Sequence, residues 1–368
     1  MFDRRLLQNF DWLLLGLVLV ITALGIVNLY SAGFNRQPGG GSPVYLKQVY
    51  WLGVGLVLMF TTLFYDYRHW EKFAYPLYLF SLVMLLGVMA AGKTVSGSRR
   101  WLPLGPFSFQ PAELTKIAII LMLARYFNQR PYLANLRLKD LLVPVALVLA
   151  PVLLIVKQPD LGSGMLVALV AASIILFVGV HWRTLAISAL GLVLSLPLVW
   201  TFLKDYQKQR VLTFLNPDQD PLGAGYHIIQ SKIAVGSGQF WGKGFLQGTQ
   251  SQLHFLPEQH TDFVFSVFAE EWGFIGSALL VLLYTGLTLW GLQVARDCKD
   301  RFGHLLALGL TALIFWQVFV NLCMVTGLMP VVGIPLPLFS YGGSSLITTF
   351  LAVGIFLNIR MRRFLWRG

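Results

Sequence analysis

The chain has 368 residues, 56% of them hydrophobic and only 12% charged, with a mean hydropathy of +0.68. Soluble domains carry about 25% charged residues, so an ordinary soluble enzyme is excluded. The net charge of +12 and pI near 9.8 would suggest nucleic acid for a soluble chain, but basic cytoplasmic loops of a membrane protein account for it, and no nucleic-acid partner is expected.

A hydrocarbon core needs about 20 apolar residues per helix. Such runs predict spans over 11–31, 44–65, 73–92, 112–128, 140–156, 160–179, 184–203, 264–294, 303–327 and 342–361. Residues 1–10 are polar and basic, but the apolar run after them is long enough to span and ends without a small-residue cleavage pattern, so no signal peptide is predicted. With the N-terminus inside, the cytoplasmic segments hold Arg4 and Arg5, Arg68 and Lys72, Arg125 to Lys139, Arg183, Arg296 to Arg301, and Arg360 to Arg367. Each of these segments is basic, as orientation by positive charge requires. The reading is an all-α polytopic membrane protein of about ten transmembrane helices, forming one membrane domain over 1–368. Both termini are cytoplasmic, and a long extracytoplasmic loop, about 204–263, joins helices 7 and 8. Cys298 falls in a cytoplasmic loop and Cys323 inside a helix, too far apart to pair.

Three outer segments are not bland turns. The stretch from Lys93 to Lys116 carries Arg99, Arg100 and Trp101. The long loop is rich in Gly, Gln and aromatics, and loops of that length are usually functional or disordered. Ile228, Ile229, Ile233, Val235, Phe240, Trp241 and Phe245 argue against disorder by supplying apolar anchors, and the helical spacing of Ile228, Ile229, Lys232 and Ile233 predicts a short helix on or in the outer leaflet. The run from Pro330 to Ser345, with three prolines and a Gly-Gly pair, cannot be a regular helix; at membrane depth it must be buried by protein or line a wet cavity.

Ionisable groups at the ends of spans are functional candidates. Asp262 stands where the long loop enters the eighth span, and Asp262, Ser266, Ala269, Glu270, Gly273 and Ser277 form a small or polar stripe at helical spacing. A groove-facing base and a plain N-cap role for Thr261 or Asp262 are both open on pattern alone. Glu113 and Lys116, three apart, can pair on one helix face, as a structural bridge or one that shapes a site. Arg100, Arg210, Lys232 and Lys243 place cations on the outer side, suited to a phosphate or pyrophosphate or to lipid headgroups. Asp160 reads as an N-cap of the sixth span. His181, His227, His254 and His260 lack metal-ligand spacing, and no phosphate-binding Gly-x-x-x-x-Gly-Lys motif is present.

Three strings then carry a resemblance: Gln110-Pro-Ala-Glu-Leu-Thr-Lys116, Gly244-Phe-Leu-Gln-Gly-Thr-Gln-Ser251 with Leu256-Pro-Glu-Gln-His-Thr-Asp-Phe263, and Gly327 to Ser345, ending Ile334-Pro-Leu-Pro-Leu-Phe-Ser-Tyr-Gly-Gly-Ser-Ser345. In this order, over all ten spans, the chain resembles the SEDS family (shape, elongation, division and sporulation), and its elongation branch more than its division branch. The resemblance implies a peptidoglycan glycosyltransferase of the bacterial inner membrane, acting in cell elongation and shape maintenance. It would polymerise lipid II on the outer face by inverting transfer and release undecaprenyl pyrophosphate. Implied partners are a class B penicillin-binding protein, lipid II and undecaprenyl-linked glycan, other elongation-complex membrane proteins and membrane lipids. By the family pattern Asp262 matches the essential aspartate, Glu113 and Lys116 the paired residues of the fourth span, and Arg100 the basic residue before the loop Trp. His260, Ser340 and Ser344, inside the quoted strings, are taken as substrate-binding or site-shaping positions. No cofactor is evident, and a divalent cation, Mg or Mn, at the pyrophosphate stays open. The rival readings are a lipid II flippase and a scaffold for a penicillin-binding protein. Outer rather than midplane charges and the lack of a clear internal repeat favour the enzyme.

Overall fold

The computed structural model describes residues 8–34, 43–95, 98–104, 107–131, 135–217, 224–253, 255–256 and 258–363. Arg4, Arg5, His254, Pro257 and Arg367, named above, lie outside the described residues. In chain order the elements are helices α1 (Trp12–Gly33), α2 (Val44–Phe64) and α3 (Tyr67–Ala91), strands β1 (Lys93–Val95), β2 (Ser98–Leu104) and β3 (Phe107–Phe109), and helices α4 (Pro111–Asn128), α5 (Leu138–Lys157), α6 (Leu161–Val178) and α7 (Trp182–Phe202). Three helices follow within the long loop: α8 (Asp205–Leu215), α9 (Ala224–Ser237) and the single turn α10 (Thr249–Gln252). The chain ends with α11 (Val264–Asp297), α12 (Arg301–Val325) and α13 (Gly343–Arg362).

Ten long helices thus stand at the ten predicted spans. Eight are individually long and apolar enough to cross a membrane. The other two are α4, which carries Glu113, Lys116 and Arg125, and α7, whose apolar run is Trp182–Leu198. Helix α4 does not need an apolar surface of its own, because it is buried along nearly its whole length among other helices. The protein is a polytopic all-α membrane protein.

Four of its few acidic residues start helices. Asp11, Asp66, Asp160 and Asp300 each accept a backbone N–H as N-cap of α1, α3, α6 and α12, an arrangement worth about 1 kcal/mol apiece. At the pole where α1 begins and α11 and α13 end, Asp11 accepts from Trp290 Nε1 at 2.7 Å and pairs with Arg360 Nε at 2.6 Å. Arg363 reaches Asp297 at 3.2 Å beside it. The basic helix ends are therefore tied to one another.

At the opposite pole the structure adds what the sequence pattern did not supply. Strands β1, β2 and β3 form a three-stranded antiparallel sheet in the order β1-β2-β3, with Thr94 opposite Arg99 and Pro103 opposite Ser108. The strands are short and lie between two helices, so no long alternating run announced them.

The predicted helix exists as α9, with Ile228 buried against the protein and Ile233, Phe240, Trp241 and Phe245 on the outer surface. A backbone tie adds to these apolar anchors. Helix α11 is broken at Gly273, whose φ of +63° and ψ of −157° suit glycine alone. The carbonyls freed at Glu270 and Glu271 accept the N–H groups of Lys243 and Gly244, each at 3.0 Å, and the freed N–H groups of Phe274 and Ile275 donate to Gln239 and Phe240, at 2.9 and 3.2 Å. A strip of the loop is stitched into the break, so the broken turn keeps its hydrogen bonds.

Before the break, Val264 to Glu271 are buried on every side. The expected polar stripe does face the protein interior, but Val264, Val267 and Phe268 do so as well. Between α12 and α13 the Pro-rich run is irregular, as its composition demanded, with Ile334, Leu336, Leu338, Phe339 and Ser340 buried. Helix α1 can press against it because Gly25 has no side chain: a methyl there would meet Phe339 Cα at 2.7 Å.

Candidate active site

Asp262 sits in the turn Glu258–Phe263 that ends the long loop, and three consecutive carbonyls of this turn are held, two by the Pro-rich run and the third by α12. His260 O accepts from Tyr341 N at 2.8 Å, Thr261 O from Ser340 Oγ at 2.6 Å, and Asp262 O from Asn321 Nδ2 at 2.9 Å. Ser340 Oγ also accepts from Leu336 N at 2.8 Å, and its carbonyl takes a hydrogen bond from Gln48 of α2 at 3.0 Å. Asn28 of α1 holds the next carbonyl but one, Val264 O, at 2.9 Å. The aspartate therefore rests on a backbone with no slack.

The capping alternative falls. The N-cap of α11 is Phe263 and no side chain caps it, while the Thr261 hydroxyl turns back to Glu258 O at 3.3 Å. The Asp262 carboxylate is left for other work. It lies against Gly333, where an added methyl would come within 3.3 Å of Oδ2.

Its electrostatics are set by burial and by the charges around it. Burial, and then the nearby charge of Glu258, push the carboxyl up from its ordinary value to about 6, while Arg100 and Arg210 pull the other way and Asp160 adds a smaller upward push. Desolvation disfavours the charged form and like charges add to it. Arg100 comes from β2 and approaches Asp160 Oδ1 at 3.7 Å. Asp160 is an N-cap, as expected, and also a junction: its carboxylate accepts from Ser163 N at 3.2 Å, Ser163 Oγ at 2.9 Å and Gln110 Nε2 at 2.9 Å.

Gln110 in turn ties this corner to α13, since its N–H reaches Ser344 Oγ at 3.3 Å. Three residues on, Glu113 and Lys116 make a 2.7 Å ion pair that is almost wholly buried within α4. Glu113 Oε2 is a buried acceptor with no hydrogen-bond donor among the described residues.

The other predicted residues scatter. Lys243 is taken up by Glu270 at 2.7 Å and Thr249 at 2.8 Å, next to the helix break. Lys232 lies across Gly327, where a methyl would meet its Cε at 2.1 Å. His260 is buried and enters the site through its carbonyl. The residues that sequence reading missed are mostly neutral amides, Asn28, Gln48, Gln110 and Asn321, together with Glu258. An asparagine within an apolar span is itself a signal, because it must find a hydrogen-bond partner there.

The sequence profile of the family described as cell cycle protein FtsW/RodA/SpoVE matches residues 11–364. The chain belongs to the FtsW/RodA/SpoVE family. Among FtsW/RodA/SpoVE relatives, the peptidoglycan glycosyltransferase MrdB of Escherichia coli K12 is 46% identical over 313 residues, 85% of this chain and 84% of that protein. The probable peptidoglycan glycosyltransferase FtsW of Trichlorobacter lovleyi is 38% identical over 359 residues, 96% of this chain and 93% of that one. Among solved structures, a chain from a study of how a peptidoglycan synthase complex coordinates polymerization and crosslinking superposes with a TM-score of 0.83, at 38% identity, covering 96% of this chain and 98% of that chain. The rod shape determining protein RodA of Thermus thermophilus superposes with a TM-score of 0.71 at 34% identity, with the same coverage. The family anticipated from the three strings is thus the family found. In this FtsW/RodA/SpoVE fold the third string joins the other two, bonding to the turn of the second through Ser340 and to the start of the first through Ser344.

Proposed function

We propose that this protein is a peptidoglycan glycosyltransferase that polymerises lipid II, with Asp262 as general base. The observation that carries the reading is the Asp262 carboxylate: fixed through its backbone, pushed up to about 6, and flanked by Arg100 and Arg210. The names of the relatives, peptidoglycan glycosyltransferases, supply the substrate class.

The chemistry runs as a single displacement. Asp262 takes the proton from the 4-hydroxyl of the acceptor sugar as that oxygen attacks the anomeric carbon of the donor. The bond from that carbon to the pyrophosphate oxygen breaks on the opposite face, the configuration inverts from α to β, and undecaprenyl pyrophosphate leaves with the electron pair. A base near 6 is mostly ionised at neutral pH yet still basic enough to accept the proton. Arg100 and Arg210 stabilise the charge growing on the pyrophosphate, and preorganised charge of this kind is commonly the largest catalytic contribution. Glu113 and Lys116 shape the floor of the site through Gln110. Among the described residues no three His, Cys, Asp or Glu groups gather as a metal site; a divalent cation at the pyrophosphate would instead be held by the phosphate oxygens with one or two carboxylates, and no step is routed through one.

The whole chain serves as one membrane domain in the bacterial inner membrane, with the Asp262 pole outside. The basic helix ends gathered at the other pole support that orientation. A class B penicillin-binding protein is the partner that fits, because the structural neighbour comes from a complex joining polymerization to crosslinking.

The test is glycan polymerisation from purified lipid II by this protein with that partner, comparing wild type with Asp262→Ala. Loss of polymer in a folded variant is expected. Retained polymerisation would sink the base assignment, and lipid movement without polymer in the wild type would favour a flippase.

A further inference from the structure

Asn321 belongs to the last turns of α12 and is fully buried. Its single amide nitrogen donates both hydrogens to backbone carbonyls, to Asp262 O at 2.9 Å and to Ile334 O at 2.7 Å. The first acceptor is the peptide of the candidate base itself. The second is adjacent to Gly333, whose backbone faces the Asp262 carboxylate. One carboxamide, reaching out from a buried helix, thus fixes both the base and the wall opposite it.

Resting on the reading of Asp262 as the base, we infer that Asn321 is a positioning residue for glycan polymerisation, setting the spacing between Asp262 and the Gly333–Ile334 backbone. The requirement is chemically narrow. Two hydrogens from one nitrogen must reach two loops: a leucine of similar shape has none, and an aspartate would turn oxygens on both carbonyls. Gly333 leaves no spare distance either, since even a methyl there would sit 3.3 Å from Oδ2. A site mounted on a helix holds geometry better than one mounted on loops, and both partners here are loops that lack regular structure of their own. Misplacing a reacting group by about 1 Å costs about a hundredfold in rate. Asn321 touches neither sugar nor pyrophosphate in this scheme, so its loss should appear in turnover rather than in substrate affinity.

The experiment uses the full-length protein with its penicillin-binding partner and purified lipid II. In Asn321→Leu, kcat is expected to fall about ten- to a hundredfold while KM for lipid II stays within about twofold, as expected when an interaction made only in the transition state is lost. The acid limb of kcat should also move down toward the ordinary carboxylate range, as a loosened Asp262 reaches water. Asn321→Ala, which leaves room for water at both carbonyls, is the second variant should the leucine not fold. A folded variant with wild-type kcat and an unmoved acid limb overturns the inference, and so does failure of both variants to fold, which would make Asn321 merely structural. Asp262→Ala run alongside separates the two claims. If it polymerises, the base reading fails; if it is inactive while folded Asn321→Leu turns over normally, only the positioning role fails.

Discussion

Ser340 Oγ donates to the carbonyl of Thr261 at 2.6 Å across 79 residues of sequence, and the same oxygen accepts from Leu336 N. A single hydroxyl therefore closes the Pro-rich run on itself and fastens it to the turn that carries Asp262. Replacing it by alanine strands a buried carbonyl and a buried N–H. Each stranded group costs about 1–3 kcal/mol, so Ser340→Ala should lower the thermal unfolding temperature in detergent. It should also depress polymerisation at temperatures where the fold survives. An unfolding temperature equal to wild type would show that water replaces both bonds.

The pH dependence has a defined sign. As the proposed base Asp262 must be ionised to accept a proton, and burial pushes its carboxyl up to about 6, so kcat/KM should rise through about pH 6 to a plateau. Glu258 raises that value and Arg210 lowers it. Hence Glu258→Gln should move the acid limb to lower pH and Arg210→Met should move it to higher pH. Linkage gives a further consequence. A carboxyl whose folded value lies above its unfolded value favours folding less as pH rises through that interval. Asp262→Asn should therefore be inactive yet no less heat-stable at pH 7 than the wild type. Polymerisation rates across pH 5 to 8 and paired unfolding scans test both statements.

The sequence showed the helices well and the site only in part, and the reasons differ. Eight of the ten helices are announced by apolar runs because burial in lipid demands length and apolarity directly. Asp262, Arg100 and the Glu113–Lys116 pair were visible because charge near a membrane is costly and so stands out. Asn321 and Gln48, polar inside predicted spans, signal a need for partners but not which ones, and Gln110 signals less still, because those partners lie from 13 to 292 residues away. Lys243 was read as an outer cation for a phosphate or a lipid headgroup, because the break at Gly273, which brings Glu270 to it, leaves no mark on the periodicity beyond a single glycine.

That break yields its own prediction. Gly273→Ala places a side chain on a backbone conformation that costs about 1–3 kcal/mol for any other residue, and the new methyl would meet Gly242 N at 2.3 Å and Phe240 O at 2.8 Å. The strip from Gln239 to Gly244 should be pushed out of the helix. Limited proteolysis should then cut near Trp241 at protease concentrations that leave the wild type intact. Equal resistance would mean that the strip is not held by the break.

Glu113 and Lys116 pose the remaining question, whether their bridge holds the fold or shapes the site. Removing one member leaves a buried, uncompensated charge, a loss of about 3–5 kcal/mol, whereas replacing both with apolar residues of similar volume is often neutral. Lys116→Met alone should therefore be strongly destabilised, and Glu113→Leu with Lys116→Met should regain most of the unfolding temperature. If the pair served the fold only, activity would return with stability. Glu113 carries a buried oxygen with no donor among the described residues, and Gln110, one turn earlier, binds Asp160 beside Arg100. On the proposed reading this bridge orders the floor of the site, so the double variant should be stable and still polymerise at least about tenfold more slowly, the scale expected when orientation at a reacting centre is lost. Measuring unfolding and polymerisation on the same preparations decides it. A stable double variant with full activity would reduce the pair to a structural bridge.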